Sequence, residues 1–386
     1  MHESLERTEL FSRCRRVLIK VGSATVTGPK GLDRATIHRL SDQIAELRER
    51  TPRIDVLVVS SGAVASGMHK MGLSERPRSI PHKQAVAAVG QSALMDAWEA
   101  AFDKYDLHVA QVLLTGEDLA NRRRYLNARN TLETLLSWGI TPIINENDTV
   151  AVEGIKFGDN DNLSALIAGL VGAELVINLS DIDGLYDCNP KRNPSANLIP
   201  LVPRVDQKIL SCAAPEPGAV GTGGMLSKVN AARKCLALGI PMIIAPGRKR
   251  DVLLRLFEGE ELGTLFVSRE RSWSGKKVWL ANLPKPAGEI TLDEGAASAL
   301  IERGRSLLPI GIQEVRGVFG VGAPVRCLDR NGNLIGIGLT NYKSTEIETI
   351  KGRHSDEIEG LIGYKHSDEV INRDNFVLTS EAARGL

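Results

Sequence analysis

The stretch "TPIINENDTVAVEGIKFGDNDNLSALIAGLVGAELVINLSD", residues 141–181, holds three kinds of segment in a fixed order. "TPIINEND" (141–148) is a short isoleucine-rich run that ends in polar residues. "NLSALIAGLVGA" (162–173) is longer, rich in Leu and Ala, and has the length of a buried helix. "ELVINLSD" (174–181) is again short and apolar. Neither outer run alternates polar with apolar residues, as strands of a sheet covered on both faces do not. The stretch therefore predicts strand, helix, parallel strand.

The same rhythm extends in both directions. "RVLIKVG" (16–22), "DVLVVSSGA" (55–63), "HVAQVLL" (108–114) and "PMIIA" (241–245) read as further strands. Between them, Ile37, Leu40, Ile44 and Leu47 recur at spacings of three and four, one face of a helix over 33–50. Residues 83–104, 117–137 and 224–239 are further helices, the first Ala-rich and the second charged. Repeated βα units give an α/β fold, a three-layer αβα sandwich with a mainly parallel central sheet. Ligands bind such sheets beyond the carboxyl ends of the strands. There stand Lys20-Val-Gly22, Ser60-Ser-Gly62, Asn145-Glu-Asn-Asp148 and Ser180-Asp181.

Length and composition bound the remaining possibilities. The 386 residues exceed one ordinary core and predict two domains. A net charge of +1 gives no global field to draw in nucleic acid or an anionic membrane. The charged start, "MHESLERTELFSRCRR", does not read as a secretory signal, and Leu163–Ala173 is too short to span a bilayer. Five scattered cysteines without a Cys-x-x-Cys pair fit a reducing cytoplasm, not a disulfide framework or a zinc site.

Several segments carry chemistry. Lys20, near the end of a buried strand, reads either as a phosphate clamp or as a lysine that snorkels to the surface. "VVSSGAVASG" (58–67) is a strand-to-helix turn whose amides suit an anion, or a plain turn. In "GDNDN", Asp159, Asn160, Asp161 and Asn162 stand directly before an apolar helix, where one such residue would cap it. Four exceed that need, and could hold a substrate ammonium, orient a lysine, meet a metal or build a turn. The spacing and terminal glutamate of a calcium-binding EF-hand loop are absent. "GTGGMLSK" (221–228) has the glycines and lysine of a nucleotide loop, but no glycine directly before Lys228, so it is not a P-loop. Together, Lys20 and Lys228 could offset phosphate charge, with Asp161 holding both in register. Phosphoryl transfer needs this kind of positioning and cationic support more than covalent chemistry.

In this order, "IKVGSATVT", "VVSSGAVASG", "AAVGQSALM", "PIINENDTVA", "FGDNDNLSALIA", "SDIDGLYDCNP" and "GTGGMLSK" resemble the amino acid kinase family. The likeness is strongest to members that phosphorylate glutamate and carry a C-terminal PUA domain. "PAGEITLDEGAASALIERGRSLLPIGI" and "HSDEIEGLIGY" resemble that second domain.

The resemblance implies transfer of phosphate from ATP, with Mg2+, to the side-chain carboxylate of L-glutamate, the first step of proline biosynthesis. Carried over, the catalytic residues fall on Lys20, Asp161 and Lys228, and the glutamate contacts on Ser61, Asp148 and Asn160. The ATP contacts fall on Lys20, Ser180, Asp181, Thr222, Gly223, Gly224, Met225, Leu226, Ser227 and Lys228. It further implies a cytoplasmic homo-oligomer (dimer or tetramer), feedback inhibition by proline, and a link to the next enzyme of proline synthesis. Ala24 replaces a common serine, and Ser180 and Ser227 replace common threonines, keeping the hydroxyl.

The domain boundaries follow as 1–267 for the kinase unit, 268–284 for a polar linker, and 285–386 for a PUA-like, β-rich barrel and tail. Asn331-Gly332 marks a hairpin within the last. Two rival readings stand beside this one: a kinase of the same fold acting on acetylglutamate, aspartate or UMP, and an RNA-binding protein. Residues 285–386 hold 12 Lys and Arg against 15 Asp and Glu, an acidic balance that disfavours RNA.

Overall fold

The structure is a computed structural model that describes residues 2–29, 31–151, 160–190, 192–213, 224–267 and 286–378. The chain divides into two compact units, residues 1–119 with 127–272, and residues 273–386 with 120–126. The expected linker, 268–284, lies outside the described residues.

The strands of the first unit are β1 (Arg16–Val21), β2 (Thr27–Gly28), β3 (Gly31–Leu32), β4 (Asp55–Ser60), β5 (Val109–Leu114), β6 (Thr141–Glu146), β7 (Leu175–Ser180), β8 (Leu201–Val202), β9 (Met242–Pro246) and β10 (Thr264–Phe266). Eight of them form one sheet in the order β5-β6-β4-β1-β7-β9-β10-β8. The first six run parallel, as the unbroken apolar runs imply. β10 adds antiparallel to β9, which three residues, Thr264–Phe266, could not announce in the sequence.

Successive side chains on a strand point to opposite faces. On β1, Val17, Ile19 and Val21 join Ile37, Leu40 and Ile44 of helix Arg34–Arg50, and Leu94, Trp98 and Phe102 of helix Ile80–Asp103, in one apolar core. The alternate residues, Leu18 and Lys20, face the other layer, made by helices Asn160–Val171 and Met225–Ala237. Three layers result, as expected.

Asp33 caps the helix Arg34–Arg50 by accepting from Thr36 N–H at 3.0 Å. The charged segment expected as one helix over 117–137 is two, Gly116–Ala120 and Arg122–Ser137. Asp118 folds back onto Thr115, taking both its N–H and its hydroxyl at 2.7 Å, and anchors the first short turn.

Two helices cross at backbone contact. A Cβ on Gly90 of helix Ile80–Asp103 would lie 1.8 Å from the Ala63 carbonyl oxygen of helix Ala63–Lys70. A Cβ on Gly67 would lie 1.9 Å from the Val86 oxygen. Only glycine fits either position.

The second unit holds β11 (Gly288–Leu292), β12 (Ile312–Arg316), β13 (Pro324–Leu328), β14 (Leu334–Leu339) and β15 (Phe376–Leu378). They pair in the order β12-β11-β13-β14-β15, around a core that includes Ile290, Leu292, Val325, Tyr342 and Phe376. β13 and β14 form the expected hairpin: Gly332 has φ +82°, and Asp329 accepts from the N–H groups of Asn331 and Asn333. These five strands form the β-rich sheet expected of the second, PUA-like unit.

Candidate active site

Lys20 lies on β1 opposite Asn178 on β7, and both side chains face the layer that carries Asp161. Asp161 sits in the first turn of helix Asn160–Val171, fully buried, and among the described residues four donors reach its two oxygens. Lys20 Nζ pairs with Oδ1, and Asn178 Nδ2 donates to the same oxygen at 2.8 Å. Lys228 Nζ at 3.1 Å and Ser227 Oγ at 2.9 Å donate to Oδ2.

Lys20 is 4% exposed and Lys228 6%, so neither snorkels to the surface. Two buried ammonium groups without a carboxylate would be prohibitive; with Asp161 between them the cluster carries one net positive charge. Burial pushes the Asp161 carboxyl up, but the Lys20 and Lys228 charges, with hydrogen bonds from Lys20 and Asn178, outweigh it and hold the pKa at about 2.

The neighbouring asparagine faces a second polar chain. Asn160 Nδ2 donates to Ser61 Oγ at 2.7 Å and to Asn145 Oδ1 at 2.8 Å. Asn145 Nδ2 donates in turn to Gln91 Oε1 at 2.8 Å. Ser61 follows β4 and Asn145 lies on β6, so the chain runs along the carboxyl ends of neighbouring strands. Asn160, Asp161 and Asn162 lie inside the first helical turn rather than before it. Each answers to a distant partner instead of capping, Asn162 through Lys234 Nζ at 2.5 Å. Asp159 lies outside the described residues.

The turn after β4 departs from expectation in one respect. Ser61 N–H donates to the Val21 carbonyl at 3.1 Å, so this amide serves the sheet and not an anion. Gly62, with φ +118°, turns the chain into the helix Ala63–Lys70. Asp148 follows β6 in a turn, half-buried.

On the other side, Ser180 ends β7 buried while Asp181 is exposed, and Ser180 Oγ donates to Asp181 Oδ1 at 3.2 Å. Gly224 precedes the helix Met225–Ala237, whose first residues Met225, Leu226 and Ser227 are half-buried. Thr222 and Gly223 lie outside the described residues. After β1, Gly22 N–H donates to the Leu179 carbonyl at 3.1 Å, and a Cβ there would stand 3.7 Å from Lys20 Nζ. The KVGS turn thus packs its backbone beside the lysine and the end of β7.

The three expected catalytic residues therefore meet, as do Asn160 and Ser61. Two polar residues, Asn178 and Gln91, went without a role in the sequence reading, and a third, Asn145, entered it only as part of the polar run that ends its strand. Asn178 stands inside the apolar run "ELVINLSD", Asn145 ends "TPIIN", and Gln91 follows Gly90 in an Ala-rich helix. A polar side chain in an otherwise buried strand was the available signal for the first two.

A buried carboxylate thus fixes two lysine ammonium groups at the carboxyl edge of a parallel sheet, the edge where such sheets bind ligands. Residues 15–246 match the family model described as "Amino acid kinase family". The chain belongs to the amino acid kinase family. Residues 288–362 match the model of the PUA domain, so this amino acid kinase carries that domain behind its kinase unit.

It is similar over nearly its whole length to curated relatives. A protein of Meiothermus ruber named glutamate 5-kinase is 58% identical over 369 residues, covering 95% of this chain and 96% of that one. A Thermus thermophilus protein of the same name is 51% identical, covering 95% and 98%. One from Syntrophus aciditrophicus is 50% identical, covering 98% of each.

Among the described residues, no set of carboxylates stands open to hold a metal. Both oxygens of Asp161 already accept from ammonium, amide and hydroxyl donors. Among the described residues no group of three His, Cys, Asp or Glu side chains converges. None of the described helices is long and apolar enough to cross a membrane.

Proposed function

We propose that the kinase unit transfers the γ-phosphoryl group of ATP to the side-chain carboxylate of L-glutamate. The product is L-glutamyl 5-phosphate, and the reaction opens proline biosynthesis. The observation that carries this reading is the pairing of Lys20 and Lys228 on the single carboxylate of Asp161.

An ammonium group has three protons, so each lysine can keep Asp161 and still donate to phosphate oxygens. A carboxylate oxygen of glutamate attacks the γ-phosphorus as the bond to the β,γ-bridging oxygen breaks, and ADP leaves. Lys20 and Lys228 offset the negative charge on the equatorial and leaving oxygens. Asp161 keeps both at fixed positions and takes no proton, since its pKa of about 2 keeps it ionised at neutral pH. Magnesium belongs with the nucleotide as part of the Mg-ATP substrate.

On the glutamate side, the Ser61 hydroxyl accepts from Asn160 and retains its own proton for a substrate carboxylate. The amides of that turn available to the carboxylate begin at Gly62. Asp148 takes the substrate ammonium. Acetylglutamate has no ammonium and would leave Asp148 uncompensated, which favours free glutamate. Ser180, Asp181 and Gly224 to Lys228, with Thr222 and Gly223, hold the nucleotide.

The relatives' shared name supports this reading over acetylglutamate, aspartate or UMP as acceptor. The same reading makes the protein a cytoplasmic homo-oligomer, inhibited by proline and supplying the next enzyme of proline synthesis. The acidic PUA unit is then a protein module rather than an RNA clamp; salt-sensitive retention of tRNA by the whole protein would reverse that view.

The test is ADP release with hydroxylamine capture of the acyl phosphate, run with glutamate, acetylglutamate, aspartate and UMP. Hydroxamate formed from glutamate alone is expected. Turnover of another acceptor without glutamate turnover overturns the reading.

A further inference from the structure

Gln91 stands at one end of the hydrogen-bonded chain Gln91–Asn145–Asn160–Ser61, in which Asn160 donates both to Asn145 and to Ser61. Its Oε1 accepts from Asn145 Nδ2, which fixes the amide's orientation and aims Nε2 the other way. That Nε2 is buried and has no hydrogen-bond partner among the described residues. A buried donor without an acceptor is destabilising, and such groups in native structures ordinarily have a purpose.

Its placement supplies one. Gly90, the preceding residue, packs on the Ala63 carbonyl and the Gly67 N–H of the helix that the Ser61–Gly62 turn leads into. Gln84, seven residues earlier on the same helical face, donates to the Ala151 carbonyl at 3.3 Å. The helix thus holds this face against the segment after β6, which includes Asp148.

We infer that Gln91 is a specificity-determining residue whose Nε2 donates to the α-carboxylate of the amino acid substrate, the carboxylate that is not phosphorylated. This rests on the proposed glutamate activity. Asn160 adjoins Asp161, where the phosphoryl group moves, whereas Gln91 lies two amides further along the chain. An acceptor spanning this distance presents its reacting carboxylate at Asp161 and its other carboxylate at Gln91. The same amide fixes the polarity of Asn145 and Asn160, so one side chain both binds and orients.

Two substitutions separate these roles. Gln91→Glu keeps an acceptor for Asn145 but replaces the donor with a charged oxygen. Gln91→Met removes both groups with little change of length. For Gln91→Glu we expect the KM for glutamate to rise about 50-fold or more, with kcat within about threefold and the KM for ATP unchanged. For Gln91→Met a rise of about tenfold is expected.

The α-carboxamide of glutamate, used as a competitor, should bind Gln91→Glu and wild type equally, since it carries no α-carboxylate. Wild-type turnover of glutamate tests the activity itself, independently of these variants. If wild type phosphorylates glutamate and either folded variant keeps its glutamate KM, Gln91 is not a substrate contact. A lower Tm with unchanged KM would assign Nε2 to a structural water. Should Gln91→Glu fail to fold, the KM of Gln91→Met decides.

Discussion

Lys20 and Asn178 sit opposite each other on adjacent parallel strands and donate to the same oxygen, Oδ1 of Asp161. The sheet register, not a local motif, thus sets the position of the first lysine. Lys228 reaches the other oxygen from the first turn of a helix roughly two hundred residues further along the chain. Two lysines from distant segments are thus joined through one carboxylate, and in the proposed reaction they share the phosphate-holding work that a P-loop does with one loop.

Removing the second cation should act on the transition state. Lys228→Ala leaves Asp161 with Lys20, Asn178 and Ser227, so the carboxylate stays paired and the unit stays folded. We expect kcat to fall roughly 100-fold or more, the scale for losing one group that stabilises developing charge. Steady-state kinetics beside a circular dichroism spectrum checks this; a near-normal kcat in the folded variant removes Lys228 from the chemistry.

Asp161→Asn should be felt in stability as well as rate. The change strands two buried ammonium groups, a loss of about 3–5 kcal/mol. The folded pKa of about 2 lies below the ordinary aspartate value of 3.8. Ionisation therefore adds stability above the unfolded pKa, and this share disappears as pH falls from about 4 toward 2. The shift corresponds to about 2 kcal/mol. Urea unfolding at pH 8, 6 and 4.5 should show a constant gap between wild type and variant. A gap that narrows between pH 8 and 6 would place the Asp161 pKa much higher.

Asp148→Ala should discriminate ground-state binding from chemistry. If Asp148 holds the substrate ammonium in both ground and transition states, the KM for glutamate rises while kcat holds. A rise of about tenfold or more is expected from losing a hydrogen bond to a charged group. An unchanged glutamate saturation curve assigns the ammonium to another residue.

The layered fold and the three charged residues were legible because their signals are local. Unbroken apolar runs announce buried parallel strands, and a lysine or aspartate at a strand or helix end is conspicuous against them. Asn178 and Gln91 were not singled out, and Asn145 only as part of the polar end of its strand, since a neutral amide in an apolar segment does not announce its partner. Their value comes from partners 17, 54 and 15 residues away, which only the folded register brings together. The Ser61 amide misled for the same reason: a helix-leading turn suggests an anion site, but the neighbouring strand took the N–H.

The glycines of the helix crossing give the most stringent structural prediction. "VGQSALM" reads as ordinary helix with one weak residue, at which alanine would normally strengthen the helix by about 1 kcal/mol. Here a Cβ on Gly90 meets the Ala63 carbonyl oxygen at 1.8 Å and the Gly67 nitrogen at 2.4 Å, both backbone atoms that cannot rotate aside. Gly90→Ala must push the helix Ala63–Lys70 away, and overpacking of this kind costs about 1–3 kcal/mol or more. The same displacement separates Gln91 from Asn145 and moves the Ser61–Gly62 turn that opens the displaced helix. We therefore expect a lower Tm together with a raised KM for glutamate and an unchanged KM for ATP. Alanine at a neighbouring exposed position of the same helix, Ser92→Ala, controls for helix propensity and should leave both constants alone. Stabilisation by Gly90→Ala, as propensity alone predicts, would show that the two helices do not meet at this glycine.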